Sequence, residues 1–301
     1  MKLAELPKNL IISHLKHGGL KLKIGAFNVC IYSPIDTVSE HLLVLYGDYD
    51  IVSDNDFIDF HTVVKSPSII RRYFRPQVNF SFDGYFPFKP LPYTQASAMF
   101  EWGLNWCIAN HSHQYLVIHA AVVERNGKAF IFPGNPGSGK STLCAALVCN
   151  GWRLLSDELT LVSVVDGLVY PAPRPISLKN KSIEVIRALS PDAVIGSVVN
   201  NTAKGAIGHV RPPTESVNLA SVPAMPAKLI FPKFLDGSKT ILATLSKSRA
   251  LLKLVENCFN YNILGVNGFN CVSDLVNDSD CFNFEYSSLN ETLLLLTDLS
   301  D

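Results

Sequence analysis

The sequence predicts a mixed α/β (α+β) fold, and the evidence centres on residues 129–158. Residues 129–132 form a short apolar run before a glycine-rich loop, and a helix-prone run follows at residues 143–148. Gly151 then marks a helix end, and residues 152–155 are typical of a second strand. A strand, a loop, a helix and a strand in this order are typical of a sheet with flanking helices.

The glycine-rich loop matches the phosphate-binding motif G-x-x-x-x-G-K-[ST] in full. Its residues are Gly134, Asn135, Pro136, Gly137, Ser138, Gly139, Lys140, Ser141 and Thr142. Glycines allow backbone N–H groups to turn toward phosphate oxygens, and the positive end of the following helix points at the same anion. We expect Lys140 to reach the outer phosphates and the Ser141 hydroxyl to bind Mg²⁺. Glycine-rich loops also close ordinary turns, but the strand–loop–helix context favours a nucleotide site.

Two acidic residues, Asp157 and Glu158, follow the strand predicted at residues 152–155. Ligands of α/β sheets bind beyond the carboxyl ends of strands, so both acids are expected beside the phosphate loop. One could hold Mg²⁺ through a water while the other takes a proton from an attacking hydroxyl. The predicted metal ligands are therefore Ser141, Asp157 and Glu158. The alternative is that the two acids only form a solvated strand end.

The composition limits the classes of function. The chain of 301 residues is 48% hydrophobic, enough for a sizeable core, and carries 26 basic and 26 acidic residues. This balance argues against nucleic acid and against a membrane as partners. No run of about 20 apolar residues predicts a transmembrane helix, and residues 1–8 lack the apolar core of a signal peptide. Seven scattered cysteines without a C-x-x-C pair indicate reduced thiols, so we expect a cytoplasmic protein.

Residues 1–92 are predicted to form a small, mostly β accessory region. Strand-like runs occur at residues 20–24, 27–32, 57–64 and 78–82. Three prolines between residues 87 and 92 then exclude regular structure up to about residue 93. We therefore place a domain boundary there and assign residues 93–301 to the nucleotide-binding domain.

The strand that enters the phosphate loop is predicted to have an antiparallel partner. Residues 115–124 are apolar and β-branched, and Asn126-Gly127 then forms a strong hairpin signal. His119 is the ionisable group in the middle of that partner strand. It is either a core histidine bonded to the backbone or a histidine near the nucleotide that orients a catalytic acid.

Other segments are predicted to surround this centre. A helix is expected at residues 95–108. A stiff, proline-rich loop at residues 171–179 carries Arg174 and Lys179, and either cation could stabilise charge on a transferring phosphoryl group. Residues 191–207 are rich in Gly, Ser and Asn and weakly patterned, which is typical of a mobile lid.

The segments "HAAVVERNGKAFIFPGNPGSGKST" and "GWRLLSDELTL" resemble HPr kinase/phosphorylase. That family has a His-Gly-Val-Leu-Val strand, a loop with Gly-Lys-Ser, and Ala-Asp-Asp at a strand end. The closer resemblance is to the HPr-kinase-related kinase A family, through "EWGLNWCIANH", "PAPRPISLKN" and "HVRPP". The resemblance covers about two thirds of the chain. It implies the P-loop kinase fold shared with phosphoenolpyruvate carboxykinase, in which helices flank a mixed sheet, and ATP-dependent phosphorylation of a serine-like hydroxyl.

The resemblance also implies roles for individual residues. Asp157 lies at the position of the family's general base, and Glu158 replaces a second Asp. His119 lies where the family's histidine touches that base. Ser141 keeps the Mg²⁺ position, whereas Thr142 stands where the parent family has Glu.

The sequence thus predicts an ATP- and Mg²⁺-dependent kinase with Asp157, His119 and Lys140 as its catalytic residues. The parent family's downstream Glu-Ile-Arg-Gly-Leu-Gly signature is not found, so neither HPr as substrate nor phosphorolysis follows. The expected acceptor is a hydroxyl of a protein, a peptide or a small molecule, and a homo-oligomer is left open. A nucleotide-sensing module and a plain ATPase are the alternatives, but intact Lys140, Ser141 and Asp157 favour the kinase.

Overall fold

The computed structural model describes residues 1–300 and contains three β-sheets surrounded by helices. The mixed α/β architecture predicted from the sequence is confirmed at this level. No helix within residues 1–300 combines the length and the apolar character needed to cross a lipid bilayer.

The helices vary from single turns to four turns in length. They are α1 (Lys8–His17), α2 (Asp36–Leu45), α3 (Ile69–Tyr73), α4 (Ala96–His111), α5 (Lys140–Cys149), α6 (Lys181–Leu189), α7 (Thr214–Asn218), α8 (Lys247–Val255), α9 (Tyr261–Leu264), α10 (Val266–Asp278) and α11 (Leu289–Asp298). Two short 3-10 helices lie at Leu3–Glu5 and Tyr93–Gln95. The helix predicted at residues 95–108 is confirmed as α4.

The strands lie between these helices, singly or in runs of up to four. They are β1 (Leu20–Ile24), β2 (Phe27–Tyr32), β3 (Phe60–Lys65), β4 (Gln77–Phe82), β5 (Leu91–Pro92), β6 (Tyr115–Arg125), β7 (Lys128–Pro133), β8 (Arg153–Ser156), β9 (Leu159–Ser163), β10 (Val169–Tyr170), β11 (Ile176–Lys179), β12 (Val199–Thr202), β13 (Gly205–Val210), β14 (Met225–Phe234), β15 (Ile241–Thr244) and β16 (Asp280–Tyr286).

The largest sheet has eight strands and leads into the phosphate loop. Its order is β10-β9-β6-β7-β14-β16-β15, and β8 pairs with β6 as well. β7 is antiparallel to β6 but parallel to β14, which is in turn parallel to β16. The sheet is therefore mixed, with its parallel part on the side of the loop.

The predicted hairpin between β6 and β7 is confirmed. Asn126 and Gly127 have φ angles of 55° and 79°, and two consecutive left-handed residues are what a two-residue hairpin turn of matching twist requires. After the loop, α5 buries nearly its whole length. It packs between the sheet and the helices α6 and α11, which explains why its sequence is apolar on all sides.

A second sheet forms in the N-terminal region, in the order β1-β2-β3-β4-β5. α4 packs on β3 and β4 of this sheet. At Gly103 the Phe80 ring approaches so closely that a side chain would clash, so glycine allows the helix to lie against the strand. Tyr115 and Leu161 of the main sheet join the same core. The boundary at residue 92 stays a prediction.

The stretch predicted to be a mobile lid, residues 191–207, contains a strand that its weak pattern did not predict. This stretch contains β12, which pairs with β13 in a three-stranded sheet of order β11-β13-β12. The strand residues Asn200 and Asn201 are exposed, so β12 shows little of the apolar pattern that identifies strands from sequence. Its pairing with β13 defines it instead.

Candidate functional site

One strand, β6, brings the phosphate loop and the acidic pair together. Ala120 of β6 pairs with Pro133, the last residue before the loop, on one edge. Val122 pairs on the other edge with Ser156, the residue before Asp157. Neighbouring strands lie ~4.8 Å apart, so the start of the loop and Asp157 are separated by about two strand spacings, roughly 10 Å.

The loop has the backbone conformation that its glycines predict. Gly137 and Gly139 have φ angles of 88° and 94°, in the left-handed region that glycine adopts without strain. α5 begins at Lys140, directly after Gly139. The loop therefore ends at the N-terminus of a buried helix, where an anion is stabilised.

Two strands of the main sheet hold the loop from behind. The Phe234 amide of β14 donates to the Ser138 carbonyl at 3.0 Å. The Tyr286 hydroxyl of β16 donates to the Gly139 carbonyl at 3.1 Å, and any side chain at Gly139 would collide with that hydroxyl. Sequence reasoning missed both supports, because nothing local to Phe234 or Tyr286 relates them to the loop.

Lys140 is folded back over its own loop. Its Nζ donates to the carbonyl oxygens of Gly134 and Asn135, the latter at 3.2 Å. Burial lowers the pKa of Lys140 to about 8, an effect that the negative charge of Asp157 partly offsets. The ammonium group is thus positioned at the mouth of the loop, where the phosphates were predicted.

Asp157 is a buried carboxylate with one free oxygen. Its Oδ2 accepts a hydrogen bond from the Ser177 amide at 3.0 Å, while its Oδ1 is buried without a partner among residues 1–300. Burial, with a contribution from Glu158, raises the pKa of Asp157 to about 7, although the Ser177 amide, the Ser141 hydroxyl and Lys179 act in the opposite direction. A carboxylate with this pKa can accept a proton near neutral pH.

The structure does not join His119 to Asp157 by a hydrogen bond within the described part of the chain. His119 pairs with Leu159 of β9. The centroids of the His119 and Phe259 rings are 5.8 Å apart, and the two rings are T-shaped to each other. Burial is the main cause that lowers its pKa, followed by the charge of Lys140. His119 therefore lies near the loop cation and Glu158 rather than on the predicted base.

The two hydroxyls that follow Lys140 point to different neighbours. The Thr142 hydroxyl donates to Ser182 Oγ at 2.8 Å and links α5 to α6. The Ser141 hydroxyl lies beside Asp157, whose pKa it lowers. Ser141 is therefore the hydroxyl that faces the acidic pair.

The donor atoms of the predicted metal site are all oxygens. No cluster of three or more His, Cys, Asp or Glu side chains suited to a metal occurs in residues 1–300. Mg²⁺ in nucleotide sites is held by one or two carboxylates together with waters and substrate phosphates, so no such cluster is needed. The unpartnered Asp157 Oδ1 beside Ser141 fits a Mg²⁺ ion that arrives with a nucleotide.

A buried ionic network lies behind the acidic pair and includes Arg174. The Arg174 guanidinium donates to Glu101 Oε2 at 2.9 Å and to Asn105 Oδ1 at 2.8 Å. Glu101 Oε1 also lies 2.7 Å from His41 Nε2 and accepts from the Tyr46 hydroxyl at 2.8 Å. Although burial opposes it, the charge of Arg174 together with His41 lowers the pKa of Glu101 to about 2.

Asn105 connects this network to the predicted site. Its side-chain amide donates to the Glu158 carboxylate while its oxygen accepts from Arg174. Of the two cations that the sequence offered, Arg174 is committed to Glu101. Lys179 has no ion-pair partner within residues 1–300, yet it lies close enough to lower the pKa of both Lys140 and Asp157.

A small polar cavity of about 20 Å³ separates α4 from Asp157, which is room for about one water molecule. Four side chains in its wall have buried polar atoms without partners in residues 1–300: Asp157 Oδ1, Arg174 Nε, Ser177 Oγ and His209 Nε2. Burial lowers the pKa of His209 to about 3, so this ring is neutral. Glu101 and His209 were not predicted as site residues, although both lie in segments quoted for the resemblance.

A larger cavity of about 280 Å³ adjoins the loop on its other side. Its wall contains His119, Asn135 and residues 256–259. The volume is just below the usual range for small-molecule pockets, and the contact with Asn135 makes it continuous with the phosphate loop. The segment after α8 was not predicted to reach the site.

The comparisons with known proteins concern the same part of the chain. Residues 98–176 match the family model described as SynChlorMet cassette protein ScmC. The matched span is less than half of the chain, but it includes most of α4, the phosphate loop, the acidic pair and Arg174. A search of curated proteins found no match.

Proposed function

We propose that this chain is an ATP- and Mg²⁺-dependent P-loop kinase with the HPr kinase/phosphoenolpyruvate carboxykinase type of fold. Its reaction is transfer of the γ-phosphoryl group to a hydroxyl of a protein, peptide or small-molecule acceptor. The observation that carries the proposal is the register of β6, which has the phosphate loop on one edge and Asp157 on the other. The resemblance to the HPr-kinase-related kinase A family supports the same assignment.

In the proposed reaction Asp157 is the general base. Its free Oδ1 accepts the proton of the acceptor hydroxyl. The acceptor oxygen then bonds to the γ-phosphorus as the bond from phosphorus to the bridging oxygen breaks, and ADP leaves. A pKa of about 7 suits this role because a base is most effective when its pKa lies near the working pH.

The cations have separate tasks. When ATP binds, the Lys140 ammonium group gives up its hydrogen bonds to the two loop carbonyls and donates to the phosphates of ATP instead. Lys179, which has no ion pair within residues 1–300, offsets the charge that develops on the transferring group. Mg²⁺ would be held by Ser141 and, through a water, by Glu158, which leaves Asp157 Oδ1 free to accept the proton. When bound, the ion would neutralise charge on the phosphates.

The proposal is tested first by nucleotide binding. ATP with Mg²⁺ at a hundred times its dissociation constant should stabilise the folded chain by about 2.7 kcal/mol, seen as a higher Tm. Lys140→Ala should weaken ATP binding about 10- to 100-fold in calorimetry, because hydrogen bonds to a charged group contribute ~1.5–3 kcal/mol. Turnover should be lost with it.

Lys8→Ala is the matched control, because Lys8 is exposed at the start of α1. It should bind ATP like the parent chain. An unchanged ATP affinity in Lys140→Ala, or no thermal shift of the parent chain at millimolar ATP and Mg²⁺, would contradict a nucleotide site.

A further inference from the structure

The short helix α3 projects from the end of the N-terminal sheet, in the connection between β3 and β4. None of its residues is buried. Pro67 and Pro76 bracket the segment, and the Ser68 side chain caps the helix by accepting from the Arg71 amide at 3.2 Å. The helix is therefore defined by local interactions rather than by packing on the protein.

Four large apolar side chains on this segment face solvent. Ile69 is 82% exposed, Ile70 71%, Tyr73 75% and Phe74 65%. Single exposed apolar residues are common, but a contiguous group marks a surface that is covered by a partner. The apolar residues of an ordinary surface helix face the protein core, and here they do not.

Basic residues occupy the remainder of the segment. At 100° per residue, Ile69, Ile70 and Tyr73 share one face of the helix, and Arg71 and Arg72 lie on the opposite face. Neither arginine, nor Arg75, forms an ion pair with any residue of 1–300. Residues 65–89 contain five basic side chains and one acidic side chain. The net charge of the whole chain is zero, which predicted no membrane partner. That total does not show the excess of basic residues in this one segment.

The shape and the charge of this surface indicate which kind of partner binds to it. A second copy of the chain would bring like charges together, which opposes self-association through this patch. The patch is a protruding helix and not a groove, so it does not enclose an extended peptide. A layer of anionic lipid headgroups accepts a protruding apolar wedge and supplies phosphates for arginines beside it.

We infer that the α3 surface, formed by residues 69–75, binds peripherally to an anionic lipid bilayer. Its apolar side chains enter the boundary between headgroups and acyl chains, and its arginines contact lipid phosphates. This inference is independent of the proposed kinase reaction, because it uses no residue of the candidate site.

The test is co-sedimentation of the full chain with vesicles of phosphatidylcholine alone or of phosphatidylcholine with 30% phosphatidylglycerol. The parent chain should bind the anionic vesicles, bind the neutral ones far less, and release at high salt. Arg71→Gln/Arg72→Gln should weaken binding roughly 30-fold, since each basic residue near an anionic surface contributes about fivefold. Ile69→Ser/Ile70→Ser should weaken it at least about tenfold.

Ile263→Ser/Val266→Ser is the matched control, because these residues are similarly exposed but lie in α9 and α10. It should bind like the parent chain, and all variants should keep the parent Tm because exposed substitutions change stability little. The inference is overturned if the parent chain ignores anionic vesicles or if Ile69→Ser/Ile70→Ser binds them unchanged. Binding of a polyglutamate peptide without vesicle binding would also overturn it, in favour of an acidic protein partner.

Discussion

Two buried carboxylates a short distance apart behave in opposite ways. Glu101 has three hydrogen-bonding partners, and the pKa of its carboxyl group falls to about 2. Asp157 has one backbone amide and an unpartnered oxygen, and its pKa rises to about 7. Both side chains are nearly inaccessible to solvent, so burial does not distinguish them. The neighbouring charges and donors do: Arg174 lies against Glu101, whereas the acidic Glu158 lies beside Asp157.

This difference separates a structural role from a reactive one. A carboxylate with both oxygens hydrogen-bonded holds parts of the fold together, as Glu101 does between α2, α4 and the loop that carries Arg174. A buried carboxylate with an unsatisfied oxygen has free energy to gain from a proton, a metal ion or a substrate hydroxyl. Asp157 is thus the better candidate for chemistry, and each of the following changes tests that distinction.

The largest expected effect is that of Asp157→Asn on phosphoryl transfer. The amide keeps the shape of the side chain but cannot take a proton, and loss of a general base lowers rates ~10²–10⁴-fold. ATP affinity should change much less, because Lys140 and the loop amides remain. Radiolabel transfer from γ-labelled ATP to a lysate, together with calorimetry, measures both quantities.

The same variant distinguishes the kinase from its alternatives. If ATP affinity falls together with the rate and the Mg²⁺ dependence shifts, Asp157 is chiefly a metal ligand. If label transfer continues at the parent rate, Asp157 is no base. ATP hydrolysis without any labelled acceptor would instead favour a plain ATPase.

Glu101→Gln should have its main effect on stability. Removing one partner of a buried ion pair leaves Arg174 uncompensated, which typically lowers the free energy of unfolding by ~3–5 kcal/mol. Urea denaturation measures the loss, and Glu184→Gln, at an exposed ion pair with Arg187, should stay within about 0.5 kcal/mol of the parent. If Glu101→Gln and Glu184→Gln were equally stable, the result would contradict a structural role for the network around Glu101.

The pH dependence of stability should have opposite signs at the two carboxylates. The pKa of Glu101 is lowered on folding, so its contribution is present above about 4.5 and is lost as the pH falls toward 2. The pKa of Asp157 is raised on folding, so the folded state is favoured below about 3.8 and loses that advantage as the pH rises through about 7. The effect is on the order of 3 kcal/mol at Glu101 and on the order of 4 kcal/mol at Asp157.

Differences between variants isolate these effects, because neutral burial of His209 also destabilises the folded chain in acid. The stability of Asp157→Asn relative to the parent should rise between pH 4 and pH 7. That of Glu101→Gln relative to the parent should fall over the range from pH 2 to pH 5. If the free energy of unfolding of a variant changed with pH in parallel with that of the parent, the direction of the pKa shift assigned to the substituted carboxylate would be contradicted.

The smallest effect is expected for Tyr46→Phe. This change removes one of the donors to Glu101 and leaves Arg174 and His41 in place. A hydrogen bond to a charged group contributes about 2 kcal/mol, so the variant should be less destabilised than Glu101→Gln. A loss as large as that of Glu101→Gln would mean that the Tyr46 hydroxyl alone supports the network as much as the Glu101 charge does.

The sequence predicted the parts of the fold that local patterns encode. The hairpin at Asn126-Gly127, the loop before α5 and the helix α4 need only neighbouring residues to be recognised. β12 and β16 were not predicted: β12 lacks the apolar pattern of a strand and is defined by its pairing with the neighbouring β13, and β16 pairs with β14, which is distant in the chain. Secondary structure defined by pairing is the part that local reasoning does not reach.

The candidate site shows the same division. Lys140, Ser141 and Asp157 follow from a motif and a strand end, and the structure gathers them around β6. The commitment of Arg174 to Glu101, the support from Tyr286 and the position of His119 depend on tertiary contacts among residues up to 147 positions apart. The sequence alone did not show whether Arg174 or Lys179 is available to the phosphoryl group, because the pairing of Arg174 with Glu101 is a tertiary contact.

The placement of the loop and Asp157 on the two edges of β6 has a consequence for the entropy of substrate binding. Their separation is fixed by hydrogen-bonded strand pairing in the centre of a sheet, so no hinge has to close to bring them into register. The ordering of these two groups is completed when the chain folds, before any ligand arrives. Movement on binding is then confined to groups outside this frame, above all the Lys140 side chain as it leaves its loop carbonyls.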